Sequence, residues 1–294
     1  MISILPGELS PLPRKSTIPS SCDRLTYKGL YSVTFAQLAY IPMKPSLSYT
    51  IWFSQRTGST VFCKALESTG VAGKPAEWLH ISSGTELYTH YGVSRPSELQ
   101  TKLWELGSTP NQVFGLKYGI CEPHFSSAIE TFRQFPGCNE RSCSRGEVWE
   151  NAFPNGKHIF MTRRNKVRLA ISWWKAIQTQ EWHRKYGTKP TAKEVRDQYS
   201  FDAINTLYIE SVMREAGTQE FFTEAGIVPL TIAYEDFVPC YETTVLKILT
   251  DLGIPSDGIT VAPPYYDQLA DEVSEEWAQR FRQERQIGWK HIGW

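Results

Sequence analysis

One stretch limits what this chain can fold into more than any other. Tyr49-Thr50-Ile51-Trp52-Phe53 is an apolar run that reads as a strand, Ser54-Gln55-Arg56-Thr57-Gly58 is a short turn with one glycine, and Val61 to Ser68 reads as a helix. That order sets hydroxyls and an arginine where the backbone N–H groups of a helix start can hold an anion. The spacing is neither the GxxxxGKS/T of a nucleotide triphosphate loop nor the GxGxxG of a dinucleotide fingerprint. It is also what a plain strand-turn-helix connection looks like.

The same alternation recurs. Gln112 to Tyr118, Lys157 to Thr162 and Ile227 to Ala233, the last broken by Pro229, read as further strands. Between them lie helical patterns: Ser97 to Leu106 capped by its serine, Glu122 to Phe135, and a long helix after Arg163 in which Val167, Ala170, Ile171, Trp174 and Ile177 share a face as far as about Trp182. A second long helix follows through Phe201, Ile204, Leu207, Tyr208 and Val212. Thr243 to Leu252 is stopped by Gly253, and Glu272 to Arg285 is strongly charged. Residues 70 to 80 and 137 to 146 read as loops. Strands separated by helices predict an α/β fold, a three-layer sandwich with a mainly parallel central sheet, whose ligands lie at the carboxyl ends of the strands. Residues 1–47, rich in proline, serine and threonine, read as an N-terminal extension, with weak periodicity around Leu30 to Tyr40, and residues 48–294 as the domain.

Charge narrows the partners. The 31 basic and 31 acidic residues sum to a formal net charge of zero, so no global field draws the chain to nucleic acid or to an anionic membrane. It has no apolar run long enough for a transmembrane helix. The six cysteines, Cys22, Cys63, Cys121, Cys138, Cys143 and Cys240, are scattered and no secretory signal precedes them, which predicts a reduced, cytoplasmic chain. Cys138 and Cys143 lack the other half of a zinc site, so no metal is expected.

Local charge is another matter. Arg163, Arg164, Lys166 and Arg168 crowd a strand-to-helix junction, where cations oppose the helix dipole unless an anion compensates them. Arg164 and Ser172 stand eight residues apart and can share one anion only if it lies beside the helix. Together with the Arg56 turn, this suggests a ligand with two charged ends, such as an adenosine 3',5'-bisphosphate skeleton or another bisphosphorylated metabolite. Glu77, isolated in the loop beside Trp78, reads on composition as a solvated surface carboxylate.

Four pieces of this chain resemble the Stf0-type sulfotransferases. Gln55-Arg56-Thr57-Gly58-Ser59-Thr60 is similar to that family's PRSGST loop, Gly73-Lys74-Pro75-Ala76-Glu77-Trp78 to its GxPxEYF segment, and Arg163 to Ala176 to its RRDKVxQAxSxWxA stretch. Tyr234-Glu235-Asp236-Phe237 with Leu252-Gly253 resembles its YEDL...LG ending. The resemblance implies a P-loop-like sulfotransferase fold and in-line transfer of a sulfuryl group from 3'-phosphoadenosine-5'-phosphosulfate (PAPS) to a hydroxyl of a small polar acceptor, with no metal. It implies that Arg56 stabilises the leaving phosphate, that Thr57, Gly58, Ser59 and Thr60 cradle the 5'-phosphate, that Arg164 and Ser172 hold the 3'-phosphate, and that Glu77 is the general base. A homodimer, with the tryptophan-rich tail from Ile287 to Trp294 as a contact or site cover, is also compatible with it.

Gln55, Trp78, Asn165, Arg168 and Leu169 depart from the family pattern, and they leave the acceptor open: a sugar such as trehalose, or a guanidinium alkaloid of the saxitoxin type. Trp78, Tyr88, Tyr91 and Trp104 are candidates to stack on it or to pack in the core. Two further alternatives are N-sulfation and a catalytically silent bisphosphate-binding protein. A kinase-like transferase would want a lysine after the glycine loop, where Val61 stands, and acidic magnesium ligands.

Overall fold

The computed structural model describes residues 44–81, 86–138, 143–190 and 194–289. The periodicity around Leu30 to Tyr40, almost all of the N-terminal extension and the last residues of the tail lie outside the described residues. Four strands, β1 (Leu47–Phe53), β2 (Val113–Tyr118), β3 (Gly156–Thr162) and β4 (Leu230–Ala233), form one sheet in the order β2-β1-β3-β4, and every pairing is parallel. The helices are α1 (Ser59–Ser68), α2 (Leu87–Tyr91), α3 (Pro96–Gly107), α4 (His124–Phe132), α5 (Arg145–Ala152), α6 (Lys166–Thr179), α7 (Phe201–Ala225), α8 (Tyr234–Phe237), α9 (Tyr241–Leu252) and α10 (Glu272–Arg285).

β1 is central and buried on both faces, as an apolar parallel strand requires. Its side chains alternate. Tyr49, Ile51 and Phe53 pack with Phe62 and Leu66 of α1 and with Ile248 and Leu249 of α9. Trp52 points the other way, into Phe125 of α4, Trp149 of α5 and Phe221 of α7. Helices on both faces of a parallel sheet make the three-layer α/β sandwich that the alternating pattern predicts. α6, the first half of α7 and α10 form a further apolar cluster around Ile171, Ile204, Trp277 and Phe281. Among the described residues no helix is long and apolar enough to cross a membrane.

Local chemistry moved several boundaries. α3 begins at Pro96 rather than Ser97, with Arg95 at its N-cap and the Glu98 carboxylate accepting the Arg95 N–H at 3.0 Å. The stretch read as loop to Gly146 becomes α5 from Arg145, because Ser144 and Glu147 close a capping box: the Glu147 N–H donates to Ser144 Oγ at 3.2 Å and the Ser144 N–H to Glu147 Oε2 at 2.7 Å. α6 stops at Thr179, where Gln180 turns left-handed with φ 60°.

Candidate active site

The turn from β1 to α1 is built from two left-handed residues, Arg56 (φ 64°) and Gly58 (φ 83°). Gly58 is obligatory on two counts: its φ, and the Tyr234 ring, whose Cδ2 would lie 2.7 Å from an added Cβ. Thr57, fully buried, donates its hydroxyl to the Ser54 carbonyl at 2.9 Å and pins the turn from within. Among the described residues no side chain caps α1, so its first N–H groups are left for another acceptor.

Arg56 leaves the turn over α6. Its Nε donates to Ser172 Oγ at 3.0 Å and its Nη1 to the Trp182 carbonyl at 2.6 Å. Arg163, at the end of β3, lies with its guanidinium carbon 4.5 Å from the centre of the Tyr234 ring. Its Nη1 donates to the Arg56 carbonyl at 3.4 Å, and its Nε is buried with no hydrogen-bond partner among the described residues. Burial first, and then the neighbouring Arg163, push Arg56 down to about 10; burial likewise lowers Arg163.

The basic run at the start of α6 separates into unlike members. Arg164 pairs with Asp236, Lys166 with Glu215 and Arg168 with Glu275. The carboxylate of Glu235 takes the N–H groups of Arg164 and Asn165 at 3.0 and 3.1 Å. The anion that this helix start demands is therefore the protein's own. Only Arg163 of the four has no carboxylate ion pair among the described residues.

Glu77 is held by the edge of the sheet. The loop before it lies against β2, with Ala76 bridged to Leu116 and the Lys117 N–H donating to the Ala76 carbonyl at 3.0 Å. Glu77 Oε1 then receives Lys117 Nζ at 2.7 Å, and the same ammonium donates to Thr60 Oγ1 at 2.9 Å.

Arg56, Gly58, Ser59, Thr60, Glu77 and Ser172, drawn from distant parts of the chain, line one cavity of about 700 Å³. Arg163, known from the sequence only as a member of the basic run, and Lys117, which the sequence did not single out, line it too. Thr57 and Arg164 do not: Thr57 supports the turn from beneath, and Arg164 is 61% exposed beside Asp236. Trp78, Tyr88, Tyr91 and Trp104 pack against the core cluster around Trp52 instead of lining the cavity. Trp78 Nε1 donates to the Gly115 carbonyl at 3.2 Å and Trp104 Nε1 to the Ala152 carbonyl at 2.8 Å, so their polar edges are spent on the fold. The cavity's aromatic surface includes Trp173, Trp182, Tyr234, Tyr241 and Tyr266.

The cavity lies at the carboxyl edge of a parallel α/β sheet, where folds of this class bind their ligands, and cations line it beside a carboxylate. The chain belongs to the Stf0 sulphotransferase family, whose model matches residues 48–284, and its activity is that of a sulfotransferase. It is 26% identical over 266 residues to the trehalose 2-sulfotransferase of Mycolicibacterium smegmatis, covering 81% of this chain and 96% of that protein. It is also 26% identical over 263 residues to the trehalose 2-sulfotransferase of Mycobacterium tuberculosis, covering 80% and 94%. A solved sulfotransferase structure from Alicyclobacillus acidocaldarius matches at 12% identity and a TM-score of 0.43, covering 82% of this chain and 93% of the other. The sulfotransferase domain of the Synechococcus olefin synthase matches at 15% identity and a TM-score of 0.33, covering 81% and 88%.

Proposed function

We propose that this sulfotransferase takes its sulfuryl group from PAPS and passes it to a hydroxyl of a small polar acceptor, with Glu77 as general base. One observation carries the reading. Two partly buried guanidinium groups without ion pairs among the described residues, Arg56 and Arg163, line the same cavity as a carboxylate, Glu77. Cations desolvated without a counter-charge are costly unless an anion joins them.

The donor set fits a nucleotide bearing two anionic ends. The free N–H groups at the start of α1, with the Ser59 and Thr60 hydroxyls, suit the 5'-phosphosulfate, and Arg56 suits the bridging oxygen on which negative charge grows. Arg163, assisted by Ser172, suits the 3'-phosphate, whereas Arg164 is held at the surface by Asp236. PAPS, when bound, supplies the sulfuryl group. Glu77, exposed to the cavity, takes the acceptor's proton, and the fixed cations stabilise the charge that develops.

The relatives' name makes trehalose the first acceptor to try, with other glycosides and guanidinium alkaloids beside it. Mass spectrometry of the reaction with PAPS should show one acceptor carrying an added sulfonate. Glu77→Gln and Arg56→Ala should each lower kcat by about 100-fold or more. Near-parent turnover in both variants would sink the assignment.

A further inference from the structure

Lys117 lies inside a strand and is 5% exposed, although lysine is almost never so buried unless it is paired. Its ammonium lies 2.7 Å from Glu77 Oε1, 2.9 Å from Thr60 Oγ1 and 4.3 Å from the centre of the Phe53 ring. We infer that Lys117 is a positioning residue that couples the general base to the donor loop, orienting Glu77 and Thr60 at once. The inference rests on the base role proposed for Glu77.

Hydrogen-bond valence fixes the direction of both contacts. An ammonium donates and never accepts, so both contacts run outward from Lys117. Thr60 Oγ1 is thereby the acceptor of that bond, and its own hydrogen is directed elsewhere, toward an anion at the start of α1. Glu77 Oε1 is likewise occupied, which leaves Oε2 to receive the acceptor's proton. The Ala76–Leu116 bridge holds the backbones in register, and with the Phe53 ring against the ammonium the Lys117 side chain has little freedom to swing away. A carboxylate on an open loop is thus given a fixed direction relative to the donor.

The experiment is a cycle of Lys117→Met, Glu77→Gln and the double variant, with adenosine 3',5'-bisphosphate affinity measured on each. Lys117→Met should lower kcat by about 100-fold while the bisphosphate Kd changes by less than about 10-fold, a split that general loss of structure would not produce. In the Glu77→Gln background the same substitution should lower kcat by less than about 3-fold, since the lysine acts through the carboxylate. Lys117→Arg should recover at least about 10-fold of the loss, because it restores a cation that donates. If Lys117→Met does not fold, Lys117→Gln, which keeps a donor without the charge, takes its place in the cycle. Full loss with Glu77→Gln beside near-parent turnover with Lys117→Met overturns the role of Lys117 alone. Equal losses in both backgrounds overturn the coupling. Near-parent turnover with Glu77→Gln overturns the base reading itself.

Discussion

Arg163 and Arg164 are chain neighbours of identical chemistry, yet their surroundings predict opposite responses to the same substitution. Adenosine 3',5'-bisphosphate at 100 times its Kd should stabilise the parent protein by about 2.7 kcal/mol. At about 2–4 °C per kcal/mol for a chain of this size, Tm should rise by about 5–10 °C. Arg163 lines the cavity with its Nε unpartnered among the described residues, so Arg163→Met should forfeit about 2 kcal/mol of charge-assisted bonding. That weakens Kd by about 30-fold and, at the same ligand concentration, leaves about 0.9 kcal/mol, a rise of only about 2–3 °C. Arg164 is outside the cavity in a solvent-screened pair with Asp236, so Arg164→Met should keep the parent's rise. Differential scanning calorimetry of the three proteins, with and without ligand, decides the matter. Loss of the ligand-induced rise in Arg164→Met, with its retention in Arg163→Met, would refute the assignment of the 3' end.

Two further substitutions test the frame around the site. Gly58→Ala places a Cβ at positive φ and 2.7 Å from Tyr234 Cδ2, against the ring that supports Arg163; it should cost about 1–3 kcal/mol and turnover together, and a parent-like Tm with parent-like turnover would contradict that. His158 Nδ1 accepts the Trp52 indole N–H at 3.0 Å, and burial pulls His158 down to about 4. Because its folded value lies below the unfolded value, the unfolded chain takes up a proton that the folded chain refuses. Stability should therefore fall as pH drops from about 6.5 to about 4, by on the order of 3 kcal/mol from this group. Urea unfolding at pH 7 and pH 5 should show a smaller difference in His158→Gln than in the parent, and equal differences would reject the histidine as the cause.

The layers of the fold and the β1 turn were legible because apolar runs, glycine and helix periodicity act over short stretches. What escaped was decided by distant partners. Lys117 sits in a stretch that reads as core strand; its chemistry exists only because the Glu77 loop, 40 residues earlier, is laid against β2. The choice between Arg163 and Arg164 belongs to α8, where Glu235 and Asp236 turn one arginine to the surface. Trp78 and Trp104 offered stacking faces in composition, but carbonyls of β2 and α5 took their indole N–H groups and laid the rings against the core. The start of α5 was legible in Ser144 and Glu147, whose spacing is that of a capping box, and Gly146 concealed it.

The disposition of carboxylates explains how a chain of zero formal charge keeps a cationic cavity. An acid beside Arg56 or Arg163 would stabilise the protein more than the neutral partners they have, the Ser172 hydroxyl, the Trp182 and Arg56 carbonyls and the Tyr234 ring. It would also occupy the place an anionic ligand must take. The acids that line or flank the cavity have partners of their own: Glu235 the N–H groups that open α6, Asp236 Arg164, Glu77 Lys117, Glu181 Arg184, and Asp267 the Gly187 N–H. Arg56 and Arg163 are left without an ion pair among the described residues, and the desolvation that lowers both opposes keeping their charge in the cavity. A bound dianion removes that penalty as it binds, which ties the affinity of the site to the same groups that weaken the empty protein.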